Sequence, residues 1–122
     1  MGLFDGPLWW LPLGRAPEIR AEALAAELEG DAPPLLIDMR TQQEFEGGHV
    51  PGARRFTVAE LKAALQTNTL GDEGRRCVAL CLSAHRSLPA VRLLRRHGRV
   101  DAVHLRDGMR AWWKAGLATD KG

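Results

Sequence analysis

Cys81 opens the run Cys81-Leu82-Ser83-Ala84-His85-Arg86-Ser87, which brings a thiol, two hydroxyls, an imidazole and a guanidinium into one short stretch. The thiolate is the nucleophilic form of cysteine, and a nearby cation or a helix N-terminus favours it. The flanking residues predict such a setting. Val78-Ala79-Leu80 is a short apolar stretch ending at the cysteine, and Leu88-Pro89-Ala90-Val91-Arg92-Leu93-Leu94 carries its proline early, where a first helical turn tolerates it. The thiol is thereby placed at the C-terminal end of a strand, facing a helix whose free N–H groups and dipole favour an anion. The alternative for Cys81 is an inert thiol packed as a small apolar residue. Cys77 is expected to be a thiol of that inert kind.

The elements that must position this loop alternate. Glu18–Leu28 has Ile19, Ala23, Leu24 and Leu28 near helical spacing and ends at Gly30. Leu35-Leu36-Ile37-Asp38, after Pro33-Pro34, predicts a buried strand. Thr41 with Glu44, and Thr57 with Glu60, have the spacing of capping boxes at helix starts, the first helix ending at Gly47-Gly48. Further strands are expected near Ala53–Phe56, Cys77–Leu80 and Ala102–Leu105, with helices over Ser87–His97 and Met109–Ala115 closed by Gly98 and Gly116. Strands alternating with helices imply an α/β fold in three layers, a mainly parallel central sheet with helices on both faces. Ligands of such sheets gather at the carboxyl ends of the strands, where Cys81 is placed.

The 122 residues suit one globular domain, 17–118, between an N-terminal extension, 1–16, and a short tail, 119–122. Two cysteines are too few for a disulfide scaffold. On one strand they would stand about 13 Å apart, beyond the ~7 Å a bridge allows. With no metal-ligand spacing of Cys and His, no metal and no cofactor are expected, and a reducing, cytoplasmic setting follows. The net charge of +2 divides into −4 over residues 1–70, +5 over 71–110 and +1 over 111–122. Arg75, Arg76, Arg92, Arg95, Arg96 and Arg99 are expected to be mostly solvated surface, while their field draws anions toward the thiol. No aromatic residues interleave with these arginines, so no nucleic-acid partner is expected. Leu8-Trp9-Trp10-Leu11 either touches a membrane surface or a partner, or belongs to an extension that packs on the domain or is simply loose, the latter being favoured. A monomer is expected.

Three stretches together resemble the single-domain rhodaneses. Leu36-Ile37-Asp38-Met39-Arg40, Glu44-Phe45 and Gly48-His49-Val50-Pro51-Gly52-Ala53 are similar to the family signature D-x-R, E-F/Y, G-H-I/V-P-G-A. Cys81 to Ser87 is similar to C-x-x-G-x-R-S, and Asp107-Gly108-Met109-Arg110-Ala111-Trp112 with Ala115-Gly116-Leu117 to the closing G-G-x-x-x-W and its following G-L. The resemblance implies a sulfurtransferase that moves sulfane sulfur from a small donor such as thiosulfate, through a Cys81 persulfide, to cyanide or a thiol, including a protein thiol. It implies that the N–H groups of Leu82, Ser83, Ala84, His85 and Arg86 ring the outer sulfur, and that Arg86 stabilises the persulfide. Ser87 is expected to cap the following helix, and Asp38 and Arg40 to brace the loop without taking part in the chemistry. Ala84 departs from the usual glycine, which bears on the shape of the sulfur cradle.

The histidines divide. His49 sits in a turn, where its ring is expected to hold a backbone group; His85 either helps to hold an anionic donor or tune Cys81, or points to solvent. His97 and His104 are expected to be structural or exposed. Trp112 matches the family's core tryptophan, and Trp113 is expected to be half-exposed. A phosphatase or arsenate reductase of related fold needs C-x5-R, whereas four residues separate Cys81 from Arg86, a ring sized for one sulfur atom. A non-catalytic binding or regulatory module is the other alternative; retention of Cys81 and Arg86 favours the enzyme.

Overall fold

The computed structural model describes residues 16–71, 74–83 and 85–122. The N-terminal extension through residue 15, with its tryptophan pair, and Ala84 lie outside the described residues. Ten elements follow in order: β1 (Glu18–Ile19), α1 (Ala21–Leu28), β2 (Leu35–Asp38), α2 (Gln42–Glu46), β3 (Arg54–Arg55), α3 (Val58–Gln66), β4 (Cys77–Leu80), α4 (Ser87–Arg96), β5 (Val103–Leu105) and α5 (Gly108–Lys114). The strands form one sheet in the order β1-β5-β4-β2-β3. All four pairings are parallel.

β2 and β4 are buried along their whole length, which is why both are continuous apolar runs without alternation. Successive residues still point to opposite faces. Leu35, Ile37, Cys77 and Ala79 pack with Leu61 of α3 and with Val91 and Leu94 of α4. Leu36, Val78 and Leu80 pack with Leu24 of α1 and with Met109 and Trp112 of α5. The sheet is therefore covered on both faces, and the expected α/β layering holds.

The helix expected from Glu18 begins later. Glu18 and Ile19 form the edge strand β1 beside His104 and Leu105, with the Arg106 N–H donating to the Ile19 carbonyl. Tertiary pairing overrides local helical preference there. Both expected capping boxes are present. At α2 the Glu44 N–H donates to Thr41 Oγ1 at 3.2 Å, and the Thr41 N–H to Glu44 Oε1 at 2.9 Å. Thr41→Ala is expected to lower stability by about 1 kcal/mol, measured as a reduced urea midpoint.

The arginines are not mainly solvated. Arg92 is only 2% exposed, because α4 is buried from Ser87 through Leu94. Arg75 donates to the Pro33 and Pro34 carbonyls, Arg95 to that of Ala102, and Arg99 to that of Gly71. Arg76 pairs with Glu27. The guanidinium groups of Arg75, Arg95 and Arg99 thereby satisfy backbone carbonyls. Arg96 is exposed as expected. Trp112 is buried and its Nε1–H donates to the Ala118 carbonyl, whereas Trp113 is 46% exposed. His104 is buried beside Glu18, and desolvation pushes its pKa down. His97 is exposed, with Nδ1 near the Leu93 carbonyl. Among the described residues no helix is long and apolar enough to cross a membrane.

Candidate active site

Cys81 follows the central strand β4 directly and is 1% exposed. Its thiol lies 3.6 Å from Ser87 Oγ and donates to it. Ser87 is buried as the first residue of α4, and Arg86 occupies the N-cap position without a side-chain cap. The expected capping role of Ser87 is thus corrected. The chain is already helical at Arg86 (φ −83°, ψ −24°), which carries the Ser87 hydroxyl underneath the loop toward the sulfur. Leu82 and Ser83 are half-buried, and His85 is exposed with Nδ1 3.4 Å from Ser83 Oγ.

The loop backbone rests on the first turn of α5. The Met109 N–H donates to the Cys81 carbonyl at 2.8 Å, and the Arg110 N–H to the Leu82 carbonyl at 3.2 Å. Gly108 makes this approach possible. With φ at +56°, a Cβ on it would lie 2.2 Å from the Cys81 carbonyl oxygen.

Asp38 and Arg40 form a buried pair just past β2. The Arg40 Nη2 donates to Asp38 Oδ2 at 2.9 Å, its Nε to Oδ1 at 3.1 Å, and its backbone N–H to Oδ1 at 3.0 Å. The same guanidinium donates to the Gly48 carbonyl at 2.8 Å and the Glu44 carbonyl at 3.2 Å. These bonds hold α2 and the turn after it. His49 completes that turn, its ring stacked on Phe45 and its Nδ1 2.8 Å from the Phe45 carbonyl oxygen, so it holds a backbone group as expected.

The link from this pair to the loop is Glu44. Its carboxylate receives Arg86 in a fork, Nη1 to Oε1 at 2.7 Å and Nη2 to Oε2 at 3.2 Å. The Arg86 hydrogen bond, aided by the Thr41 N–H, pushes the Glu44 pKa down to about 2. The pair raises that of Arg86. Burial raises the pKa of the other thiol, Cys77, which lies 3.5 Å from Arg99 Nη1. Both cysteines are free.

Sequence reasoning missed Glu44 as a partner of the loop, and Gly108 with its two following N–H groups as the loop's support. Glu44-Phe45 and Asp107-Gly108 stood within the matching stretches, but a linear pattern does not show that both converge on residues 81–86.

Comparison with known proteins agrees with this geometry. Residues 20–115 match the family model described as a rhodanese-like domain. The chain is 40% identical over 105 residues to an HTH-type transcriptional regulator of Mycobacterium tuberculosis, covering 84% of this chain and 44% of that protein. It is 30% identical over 100 residues to a sulfurtransferase of Allochromatium vinosum, covering 82% and 91%. Among solved structures, a thiosulfate sulfurtransferase from Pseudomonas aeruginosa superposes with a TM-score of 0.76 at 28% identity, over 88% of this chain and 20% of that one. The chain spans about half the length of the first curated relatives it matches. A parallel sheet with its thiol loop after the central strand, and a family match over nearly all the described residues, lead to one conclusion: this chain belongs to the rhodanese-like domain family.

Proposed function

We propose that the chain is a sulfurtransferase working through a persulfide on Cys81. The observation that carries this reading is the placement of the Cys81 thiol between the end of β4 and the start of the ten-residue helix α4. There the N–H groups of the turn and the helix dipole favour a sulfur anion. The Cys81 thiolate attacks the sulfane sulfur of a donor such as thiosulfate and forms a new S–S bond. The donor's S–S bond breaks and its electron pair leaves with sulfite. An acceptor thiolate or cyanide then attacks the outer sulfur, and the pair from the breaking bond restores the Cys81 thiolate. Covalent catalysis divides the transfer into two easier displacements.

The burial of Cys81 suits this division. The persulfide places the transferable atom about 2 Å beyond Sγ, on the side of the loop that leads to Arg86. Ser87 Oγ, which accepts from the thiol, donates to the sulfur once it is ionised. Asp38 and Arg40 brace the site through α2. A thiol cycle of this kind works in a reducing compartment, and we place it in the cytoplasm.

Incubation with thiosulfate is expected to add the mass of one sulfur atom to the intact protein. Cys81→Ser abolishes the addition, and Cys77→Ser spares it. Failure to load from thiosulfate, mercaptopyruvate and an alkyl persulfide would falsify the reading, and aryl-phosphate hydrolysis dependent on Cys81 would replace it with a phosphatase. The likeness to part of a transcriptional regulator favours a second use of the same chemistry, in which loading of Cys81 is a signal within a larger protein. Release of the sulfur on adding cyanide or a thiol, repeated over many cycles, marks turnover instead.

A further inference from the structure

Arg86 is the guanidinium of the loop, and its charge is already engaged. Its two terminal nitrogens meet the two Glu44 oxygens at 2.7 and 3.2 Å, the fork geometry that makes arginine–carboxylate pairs strong. Glu44 is itself held from behind. Its Oε1 accepts the Thr41 N–H at 2.9 Å, its own N–H donates to Thr41 Oγ1, and its carbonyl accepts Arg40 Nη1 at 3.2 Å. Arg40 is in turn fixed on Asp38 in the interior. The carboxylate is therefore preorganised beside the loop and cannot swing aside with Arg86 at little expense.

Sulfur donors differ in how much they need a free cation. Thiosulfate brings two negative charges and leaves as the sulfite dianion. A protonated alkyl persulfide brings no net charge and releases one alkyl thiolate. In both, Cys81 forms the new S–S bond, the donor's S–S bond breaks and its electron pair leaves with the departing group. Only thiosulfate sets two charges against the Glu44 carboxylate while competing with it for Arg86. Like charges at such a site lower affinity, and the effect falls with added salt.

We infer that Glu44 selects the sulfur donor: it withholds Arg86 from dianionic oxyanion donors and leaves the loop suited to alkyl persulfides. The inference rests on the sulfurtransferase reading above and names the donor class of that same site. Glu44 acts through Arg86 and through its own charge, so it is a specificity-determining residue.

The test is the rate of sulfur addition to Cys81 by rapid quench and intact mass, with thiosulfate and with cysteine persulfide as donors. Glu44→Gln retains an oxygen for the Thr41 N–H and removes the charge. It is expected to raise kcat/KM for thiosulfate about five- to tenfold, through a lower KM, the effect of roughly 1–1.4 kcal/mol. Loading from cysteine persulfide changes less than twofold, and the gain with thiosulfate shrinks as ionic strength rises. Thr41→Ala, which weakens the helix cap and keeps the charge, leaves the ratio of the two donors where it was. An equal fall with both donors in Glu44→Gln, or an unchanged ratio, overturns the inference while the sulfurtransferase reading stands. If the unaltered protein loads from neither donor, both readings fall together.

Discussion

Gly108→Ala is expected to destabilise the chain by roughly 2–4 kcal/mol and to slow sulfur loading of Cys81 by about a hundredfold. The added Cβ would stand 2.2 Å from the Cys81 carbonyl oxygen, 2.7 Å from that of Ser83 and 2.8 Å from the Leu82 carbonyl carbon. All three are backbone atoms of the active loop, so no side-chain rotation relieves the contact. The positive φ of Gly108 adds a conformational penalty of its own. Gly116→Ala separates the two causes, since Gly116 also has positive φ, +70°, but nothing within 4 Å of the site of its Cβ. Urea unfolding should place Gly116→Ala about 1 kcal/mol below the unaltered chain, and Gly108→Ala well below that. Equal losses for the two would mean that the loop yields freely, and loading would then survive as well.

Arg40→Met is expected to cost roughly 3–5 kcal/mol, because it leaves the Asp38 carboxylate charged in the interior without its partner. Asp38 is 0% and Arg40 2% exposed, so water cannot take over. The Gly48 and Glu44 carbonyls lose their donor in the same variant. Combining Arg40→Met with Asp38→Asn removes the stranded charge while keeping an acceptor for the residue 40 N–H. The double variant should recover part of the loss, giving a coupling energy above about 1.5 kcal/mol in urea unfolding. Additive losses would show that the pair contributes little beyond its separate contacts. Sulfur loading should fall in Arg40→Met even in the fraction that remains folded, since α2 carries Glu44 and hence the partner of Arg86.

Local rules made much of this legible. Thr41/Glu44 and Thr57/Glu60 start helices because a capping box is complete within four residues, and β2 and β4 are apolar throughout because parallel strands are buried on both faces. The position of Cys81 followed from such local signals too. What stayed hidden depends on distant partners. Glu18–Ile19 is a strand only because β5 lies beside it, Arg92 is interior only because α4 is buried from Ser87 through Leu94, and Ser87 faces the sulfur because Arg86 already turns the chain. The loop's supports, Glu44 and Gly108, come from segments far before and after it, and nothing in residues 81–87 announces either.

The sheet order also sets when the thiol becomes sheltered as the chain is made. Cys81 leaves the ribosome with β4, the strand that will be central, whereas β5, α5 and the Met109 and Arg110 N–H groups that hold its loop are still to come. At about 5–20 residues per second, the nascent thiol waits a few seconds without its floor. Until then it is an ordinary cysteine on an unfinished sheet, open to oxidants. The geometry of the loop thus arrives late, with the segment around Gly108 rather than with the cysteine itself.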